Sequence, residues 1–230
     1  MVVRSEFGVL LPECVSIVAT GEDRPVARHW PLEEAVIKHV SPERRVEFRT
    51  TRECARAALE GLGYTGVEIP CGAHREPIWP VGVVGSLTHC SGMRAAAVAR
   101  STKLRALGID VEPDSTLPSG VLDVIATERE VDMLPRLRSV DRTISWDRVL
   151  FSAKEAVFKA WFPVTGQWIN YPDCCLDIDP VSGSFSAHFV DDFRRSGVSA
   201  KDLVGRWSVR NGMVFTAAHI LATSLDEEPH

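Results

Sequence analysis

Capping residues and the spacing of apolar residues predict two long helices. The first covers residues 42–62, where Ser41 is a favourable N-cap, Pro42 suits the first helical position, and Gly61 and Gly63 mark the exit. The second covers residues 146–162 and is expected to stop at Pro163.

Shorter apolar segments between and after these helices predict antiparallel strands. They are residues 83–90, 93–100 and 106–112, an alternating segment at 185–189, and a hairpin of 207–210 with 213–218. Ser91-Gly92 suits a tight connection, and Asn211-Gly212 predicts a type I′ turn. Pro118, Gly120 and Pro135 are interpreted as breaks, and residues 224–230 as a disordered tail. The fold class is therefore α+β.

Composition excludes several classes of protein. The chain has 230 residues, of which 45% are hydrophobic, enough for one large domain or two lobes of about 100 residues. No apolar segment approaches the length that spans a membrane, and the first residues lack a secretory signal, so a cytoplasmic protein without membrane contact is expected. The net charge of −5 argues against nucleic-acid binding.

Charge is divided unequally along the chain. Residues 1–110 hold 14 Lys+Arg and 13 Asp+Glu, whereas residues 111–230 hold 12 and 18. Four arginines of the first predicted helix fall on one face, at positions Arg45, Arg49, Arg52 and Arg56, with Arg44 beside them. One half could thus bind phosphates while the other supplies acidic groups. The alternative is a solvated helix face, which is favoured for Arg45 and Arg49.

The segment Gly108-Ile-Asp-Val-Glu112 places two acids on one side of a strand. Side chains alternate, so Asp110 and Glu112 face the same way, about 7 Å apart along the strand. Two such carboxylates repel each other unless a cation lies between them, and Mg²⁺ prefers oxygen ligands. A solvated strand edge is the alternative interpretation of an isolated pair.

Two further segments carry groups that suit phosphate chemistry. Glu155 and Lys159 are one helical turn apart, near the aromatic residues Phe151, Phe158 and Phe162, although an ordinary surface ion pair has the same spacing. Thr88 and His89 end a predicted strand, where they could donate to phosphate oxygens or be satisfied within the core. The chain contains neither a P-loop, a G-x-S-x-G elbow nor an H-E-x-x-H motif.

The order of these segments resembles the Sfp-type 4′-phosphopantetheinyl transferases. The resemblance rests on Ser-Leu-Thr-His89, Gly-Ile-Asp-Val-Glu112 and Phe-Ser-Ala-Lys-Glu-Ala-Val-Phe-Lys159, and it extends through Trp79-Pro80 and the arginine-rich helix over about residues 40–165. It is greatest to the actinobacterial branch that serves polyketide, peptide and mycolate-type synthases.

This resemblance implies a fold, a reaction and partners. The fold is two pseudo-symmetric α/β lobes, residues 1–110 and 111–223, with the active site in the cleft between them. The enzyme would transfer the phosphopantetheine arm of coenzyme A to a serine of an acyl or peptidyl carrier protein and release 3′,5′-ADP. Mg²⁺, or Mn²⁺ in its place, would be required, and a monomer is expected.

The resemblance also implies roles for individual residues. Asp110, Glu112 and Glu155 would hold the metal, and Glu155, Lys159 and His89 would be catalytic, with Glu155 as the general base. The residues that would bind coenzyme A are Arg44, Arg52, Thr88, His89, Lys154 and Lys159. His74 or Arg75 would replace a lysine that relatives carry in this loop to contact the 3′-phosphate, or this phosphate would be bound more weakly. Trp168 would shape the pantetheine channel.

Two other functions are consistent with the same residues. A magnesium-dependent phosphohydrolase would need the acids but no surface for a carrier protein. A non-enzymatic module that binds coenzyme A or a carrier protein would not need an intact set of acids, which this chain has.

Overall fold

Two antiparallel sheets, each covered by one long helix, form the molecule. The computed structural model of the chain describes residues 2–3, 6–25, 28–189 and 199–222. The first sheet has the order β1-β2-β4-β3. Its strands are β1 (Val2–Val3), β2 (Ser16–Thr20), β3 (Val83–Cys90) and β4 (Met93–Arg100). The predicted α+β fold is confirmed.

The second sheet has the order β5-β9-β8-β7-β6. Its strands are β5 (Leu104–Pro113), β6 (Cys174–Asp179), β7 (Ser184–Phe189), β8 (Leu203–Arg210) and β9 (Met213–Leu221). The turn between β8 and β9 has positive φ at both Asn211 and Gly212, as a type I′ turn requires. The residue predicted as the lobe boundary, 110, lies inside β5, and the predicted tail lies outside the described residues.

Five helices connect or cover the sheets in the described ranges. They are α1 (Pro31–Val36), α2 (Pro42–Glu60), α3 (Val121–Ile125), α4 (Glu128–Val140) and α5 (Trp146–Thr165). α2 packs on β2 and β4 through Cys54, Ala55, Ala58 and Leu59, which are fully buried. α5 packs on β5 and β9, where its apolar face joins the largest core cluster. No helix in these ranges is long and apolar enough to cross a membrane.

The sheets meet where β3 lies beside β5, and side chains join them. The Ser86 hydroxyl accepts a hydrogen bond from the Ile109 N–H at 3.0 Å, and the Thr88 hydroxyl accepts one from the Val111 N–H at 3.2 Å. Small hydroxyl residues thus satisfy backbone donors of the neighbouring strand, which would be costly to bury unpaired. This junction brings the end of β3 against the acidic end of β5.

Two predicted helix breaks are wrong. Pro163 lies inside α5, which continues to Thr165 and ends at Gly166, whose φ is +64°. Pro135 lies inside α4, which the sequence pattern missed. A proline removes one backbone hydrogen bond. In α4 a capping box between Thr127 and Glu130, together with burial of the apolar face, stabilises the helix despite that loss.

Candidate active site

A cavity of about 450 Å³ lies at the junction of the sheets. Ten of the eleven residues predicted to be catalytic, metal-binding or cofactor-binding line it, and they come from both halves of the chain. They are Arg44, Arg52, His74, Arg75, Thr88, His89, Asp110, Glu112, Glu155 and Lys159. The eleventh, Lys154, lines a neighbouring cavity instead.

Gly108 allows α5 to approach β5 closely enough to build this site. A Cβ atom at this position would lie 2.0 Å from the Ala156 carbonyl oxygen and 2.7 Å from the Ala160 nitrogen, both in the backbone of α5. Only a residue without a side chain fits such contact. The glycine of the Gly-Ile-Asp-Val-Glu segment therefore brings Glu155 and Lys159 next to the acids of β5.

Asp110 is the most firmly held of the three acids. Its carboxylate is 4% exposed and accepts hydrogen bonds from the Thr88 hydroxyl at 3.0 Å and the Ser152 hydroxyl at 2.8 Å. The Lys159 ammonium forms an ion pair with it at 2.6 Å. Because Thr88 donates its single hydroxyl proton to Asp110, its observed role is to orient this acid rather than to donate to a phosphate.

Glu112 lies on the same side of β5 as Asp110, as the strand alternation predicted. Its carboxylate accepts a hydrogen bond from Arg148 Nη1 at 3.0 Å. Burial raises the pKa of Glu112 above its ordinary value, and repulsion from Asp110 raises it further, while Arg148 opposes both effects. The two acids are thus close enough for their charges to repel each other, and each is paired with a cation, Asp110 with Lys159 and Glu112 with Arg148.

Glu155 projects from α5 into the cavity, where the Tyr171 hydroxyl donates a hydrogen bond to its Oε1 atom. Burial, followed by the contact with Glu155, raises the pKa of Tyr171 well above its ordinary value. The phenol therefore stays protonated and acts as a donor at neutral pH. The contact fixes one carboxylate oxygen of Glu155.

The chemistry of these acids fits a hard divalent cation. Asp110, Glu112 and Glu155 supply carboxylate oxygens to one cavity, and Mg²⁺ prefers such ligands. Within the described ranges, however, no three His, Cys, Asp or Glu side chains are close enough together to form a metal site. Each of the three acids is instead engaged by a separate donor, namely Lys159, Arg148 and Tyr171.

The opposite side of the cavity carries cations and an imidazole. Arg44 Nη1 contacts the His89 ring and donates a hydrogen bond to Glu47 at 3.2 Å. Burial, and then the positive charge of Arg44, lower the pKa of His89 to about 4. His89 is therefore neutral at pH 7, so it can donate one hydrogen bond but adds no charge.

The remaining arginines of α2 differ in their surroundings. Arg52 lines the cavity, but it is 4% exposed and donates hydrogen bonds to the Ile69 carbonyl oxygen and the Cys71 sulfur. Arg49 forms an ion pair with Glu34 at 2.6 Å. Arg45 donates to two carbonyl oxygens of the preceding segment. The predicted solvated face therefore does not describe Arg45 and Arg49, which are half-buried and bonded within the protein, outside the cavity lining.

The loop before Trp79 presents two neighbouring residues in different ways. The His74 ring packs edge-on against Phe162, with centroids 5.1 Å apart, and lies 6.0 Å from Trp168. Arg75 has a φ of +67°, which is uncommon for a residue with a side chain. His74 thus joins an aromatic cluster across the cavity, while Arg75 is the cation that this loop contributes to the lining.

The predicted phosphate contact of Lys154 does not agree with its position. Its ammonium is buried and forms an ion pair with Glu130 at 2.8 Å. It also donates to the carbonyl oxygens of Ile125 at 2.7 Å and Tyr171 at 2.8 Å. Three acceptors use the three protons of an ammonium group, so none is available for a phosphate.

Sequence reasoning missed Ser152, Arg148 and Tyr171, which hold the three acids. A signal existed for Ser152, because it lies three residues before Glu155 on the same helix. Arg148 lies two turns before Glu155, a weaker signal. Tyr171 follows α5 in a short 3₁₀ turn, and no spacing rule connects it with Glu155.

Two protein-family models match the chain. Residues 32–99 match the 4′-phosphopantetheinyl transferase N-terminal domain, and residues 106–216 match the 4′-phosphopantetheinyl transferase superfamily. Together the two matches cover the strands and helices that line the cavity.

Curated relatives agree with these models. The chain is 43% identical to the 4′-phosphopantetheinyl transferase PptT of Mycobacterium tuberculosis, over 85% of this chain and 87% of the relative. It is 43% identical to Svp of Streptomyces mobaraensis, over 87% and 82%. It is 40% identical to Npt of Nocardia iowensis, over 81% and 87%. The expected actinobacterial resemblance is confirmed, and the chain belongs to the 4′-phosphopantetheinyl transferase superfamily.

Proposed function

We propose that this transferase binds coenzyme A in the cavity between the sheets and moves its phosphopantetheine arm to a carrier-protein serine with the help of Mg²⁺. The observation that carries the proposal is the composition of this one cavity. Among the residues that line it are Asp110, Glu112 and Glu155, together with Lys159, the neutral His89 and cations of the first half of the chain. Such a site can bind a pyrophosphate and a metal ion at the same time.

The cations of the first sheet region would bind the phosphates of coenzyme A. Arg44 is partly exposed at the cavity, Arg75 projects from a loop at its edge, and the neutral His89 can donate one hydrogen bond. Arg52 would bind only a phosphate that comes close to its present position, because its guanidinium is already bonded to two protein acceptors. Charge-assisted hydrogen bonds of this kind are about twice as strong as neutral ones.

The metal would be held by Asp110, Glu112 and Glu155. When bound, Mg²⁺ would neutralise the pyrophosphate and make the phosphorus more electrophilic. Lys159 lies 2.6 Å from Asp110, so its ammonium balances this acid and is close enough to turn towards a phosphate. Thr88 and Ser152 keep Asp110 in place while Lys159 moves.

In the proposed reaction these groups have separate roles. The serine oxygen of the carrier protein attacks the β-phosphorus of coenzyme A, a new phosphorus–oxygen bond forms, and 3′,5′-ADP leaves with the electron pair of the broken bond. Glu155 accepts the serine proton at Oε2, directly or through water, because Oε1 is held by Tyr171. Lys159 stabilises the charge that develops on the phosphates.

The arm and the carrier protein would lie on the side of the second helix. Phe158, Phe162 and Trp168 form an aromatic cluster next to Glu155, and Trp168 is 57% exposed. This cluster would line the path of the pantetheine chain. Acyl and peptidyl carrier domains are the proposed partners. The enzyme would act as a monomer, because one chain already contains both sides of the cavity.

Mass spectrometry of an apo carrier protein tests the proposal. The carrier is incubated with this enzyme and coenzyme A in the presence of Mg²⁺, and a parallel sample contains EDTA. We expect the carrier to gain the mass of one phosphopantetheine arm only in the Mg²⁺ sample. Equal labelling with EDTA would contradict the metal requirement. Cleavage of coenzyme A without labelling of several carrier types would favour the phosphohydrolase.

A further inference from the structure

Tyr171 lies outside the signature segments, yet its side chain reaches the catalytic helix. It begins the 3₁₀ turn Tyr171–Asp173, between α5 and β6. Its hydroxyl donates to Glu155 Oε1, and its ring stacks on Phe151 of α5, with centroids 6.1 Å apart and planes inclined by 28°. The ring contact fixes the direction in which the hydroxyl points.

The main chain of Tyr171 is held by the residue next to Glu155. The Lys154 ammonium donates to the Tyr171 carbonyl oxygen at 2.8 Å and to the carbonyl oxygen of Ile125, the last residue of α3, at 2.7 Å. Two consecutive residues of α5 therefore bind the same tyrosine: Lys154 contacts the backbone carbonyl of Tyr171, and Glu155 contacts the hydroxyl of Tyr171. This explains a lysine in the signature that does not reach the active-site cavity.

Glu130 fixes the Lys154 ammonium in turn. Its side chain is fully buried, forms the ion pair with Lys154 at 2.8 Å, and accepts hydrogen bonds from the N–H groups of Leu176 and Thr127, both at 2.7 Å. Oε1 of this carboxylate thus has the Leu176 N–H as its donor, and Oε2 has the Thr127 N–H and hydroxyl together with the Lys154 ammonium. A buried ion pair with this number of hydrogen bonds is rigid, and removing one partner is strongly destabilising.

We propose that Tyr171 is a positioning residue that holds the Glu155 carboxylate in its reactive orientation, and that the buried Lys154–Glu130 pair holds Tyr171. The terminal torsion of a glutamate is broad, so an isolated carboxylate turns freely. A hydrogen bond to Oε1 restricts this rotation and presents Oε2 to the reacting groups. The inference rests on the proposed role of Glu155 in the transfer reaction.

Replacement of Tyr171 by phenylalanine tests the hydroxyl alone, since Tyr171→Phe keeps the ring that stacks on Phe151. We expect kcat for carrier modification to fall about 10-fold, as for loss of a hydrogen bond to a charged group. The KM for coenzyme A, its dissociation constant measured by calorimetry without metal, and the midpoint of thermal unfolding should change little.

The chain supplies a matched control, because it contains only two tyrosines. The Tyr64 hydroxyl donates to the Val81 carbonyl oxygen at 3.2 Å, away from the cavity. Tyr64→Phe removes the same atom and should leave kcat unchanged. A wild-type kcat in Tyr171→Phe would overturn the proposal, and so would an equal fall of kcat in both variants.

Lys154→Met tests the support of Tyr171. We expect this substitution to lower both the unfolding midpoint and kcat. Its effect on kcat should be smaller in the Tyr171→Phe background than in the wild type, because Lys154→Met and Tyr171→Phe release the same Glu155 carboxylate. Fully independent effects would contradict the coupling. If Lys154→Met does not fold, Tyr171→Phe still decides the question. A wild-type enzyme without any transfer would instead refute the proposed function.

Discussion

The two halves of the molecule share one plan but carry opposite chemistry. Each is an antiparallel sheet covered by a long helix, with 19 residues in α2 and 20 in α5. The first helix brings arginines to the cavity, whereas the second brings Glu155 and Lys159 beside the acids of β5. The shared fold therefore does not determine the chemistry, which depends on the few side chains at the junction.

The two regions also bury charge differently. In the first, Arg56 forms ion pairs with Glu33 and Glu53, at a distance from the cavity, and stabilises the lobe. The second region has such a pair as well, Lys154 with Glu130, but in addition the buried Asp110 forms an ion pair with Lys159 inside the cavity. A charge that is neutralised within the site can exchange its partner for a substrate, whereas a charge neutralised elsewhere cannot.

The close packing of α5 on β5 gives the largest expected effect. Gly108→Ala would place a methyl group 2.0 Å from the Ala156 carbonyl oxygen, in backbone that cannot rotate away. We expect the free energy of unfolding to fall by about 3 kcal/mol or more. Overpacking costs less where neighbouring side chains can move aside, and here the neighbour is helix backbone. Urea unfolding and carrier labelling would both detect the displaced helix.

The first sheet offers the matching variant. At Gly85 a Cβ atom would lie 2.8 Å from the Trp79 ring, a side chain rather than backbone. Gly85→Ala should therefore be less destabilising than Gly108→Ala. An equal or larger loss of stability at Gly85 would show that contact with backbone, rather than with a side chain, is not what makes Gly108 sensitive.

Loss of the carboxylate proposed as the general base comes next. Glu155→Gln keeps the shape and removes the base, so kcat should fall about 100-fold or more while the unfolding midpoint stays near that of the wild type. The control is Glu60→Gln, which neutralises an exposed acid at the end of α2. Mass spectrometry of the carrier at saturating coenzyme A measures both rates, and near wild-type turnover by Glu155→Gln would refute its assignment.

A change in the basic half should act mainly on binding. Arg44→Ala removes a partly exposed cation of the cavity, and we expect the KM for coenzyme A to rise about 10-fold with a smaller change in kcat. Arg45→Ala is the control, because Arg45 donates to backbone carbonyl oxygens of the preceding segment. If Arg44→Ala changed only kcat, the division into a binding half and a catalytic half would be wrong.

The helix caps give the smallest effect. The Ser41 hydroxyl accepts a hydrogen bond from the Arg44 N–H at 3.3 Å, whereas the Ser145 side chain before α5 forms no such bond within the described residues. Ser41→Ala should lower the free energy of unfolding by about 1 kcal/mol, and Ser145→Ala should lower it much less. Chemical unfolding of both variants makes the comparison, and equal losses would contradict it.

Local rules predicted those parts of the fold that depend on neighbours in sequence. The cap of α2 at Ser41 and the turn at Asn211-Gly212 are such cases, because each is decided within four residues. Local rules failed at Pro135 and Pro163, where a helix continues through a proline. Packing of the apolar face outweighs a single missing hydrogen bond, and packing is not a local quantity.

The candidate site shows the same division. The chain order of the three signature segments and the alternation in β5 were sufficient to place Asp110 and Glu112 on one face and to group them with Glu155. They were not sufficient to find Tyr171 or to give the direction of Lys154. Both depend on where the segment after α5 returns to the helix, which no spacing along the chain specifies.

The sequence by itself therefore determined the family, through the order of its motifs, and the α+β class and the shared face of Asp110 and Glu112, through residue type and short-range period. Only the tertiary structure decided which donor holds each acid, that Lys154 is a buried ion-pair residue, and that Arg52 is buried. The physical reason is that hydrogen bonds and ion pairs of buried groups depend on distances between elements, and the position of Gly108 under α5 sets those distances here.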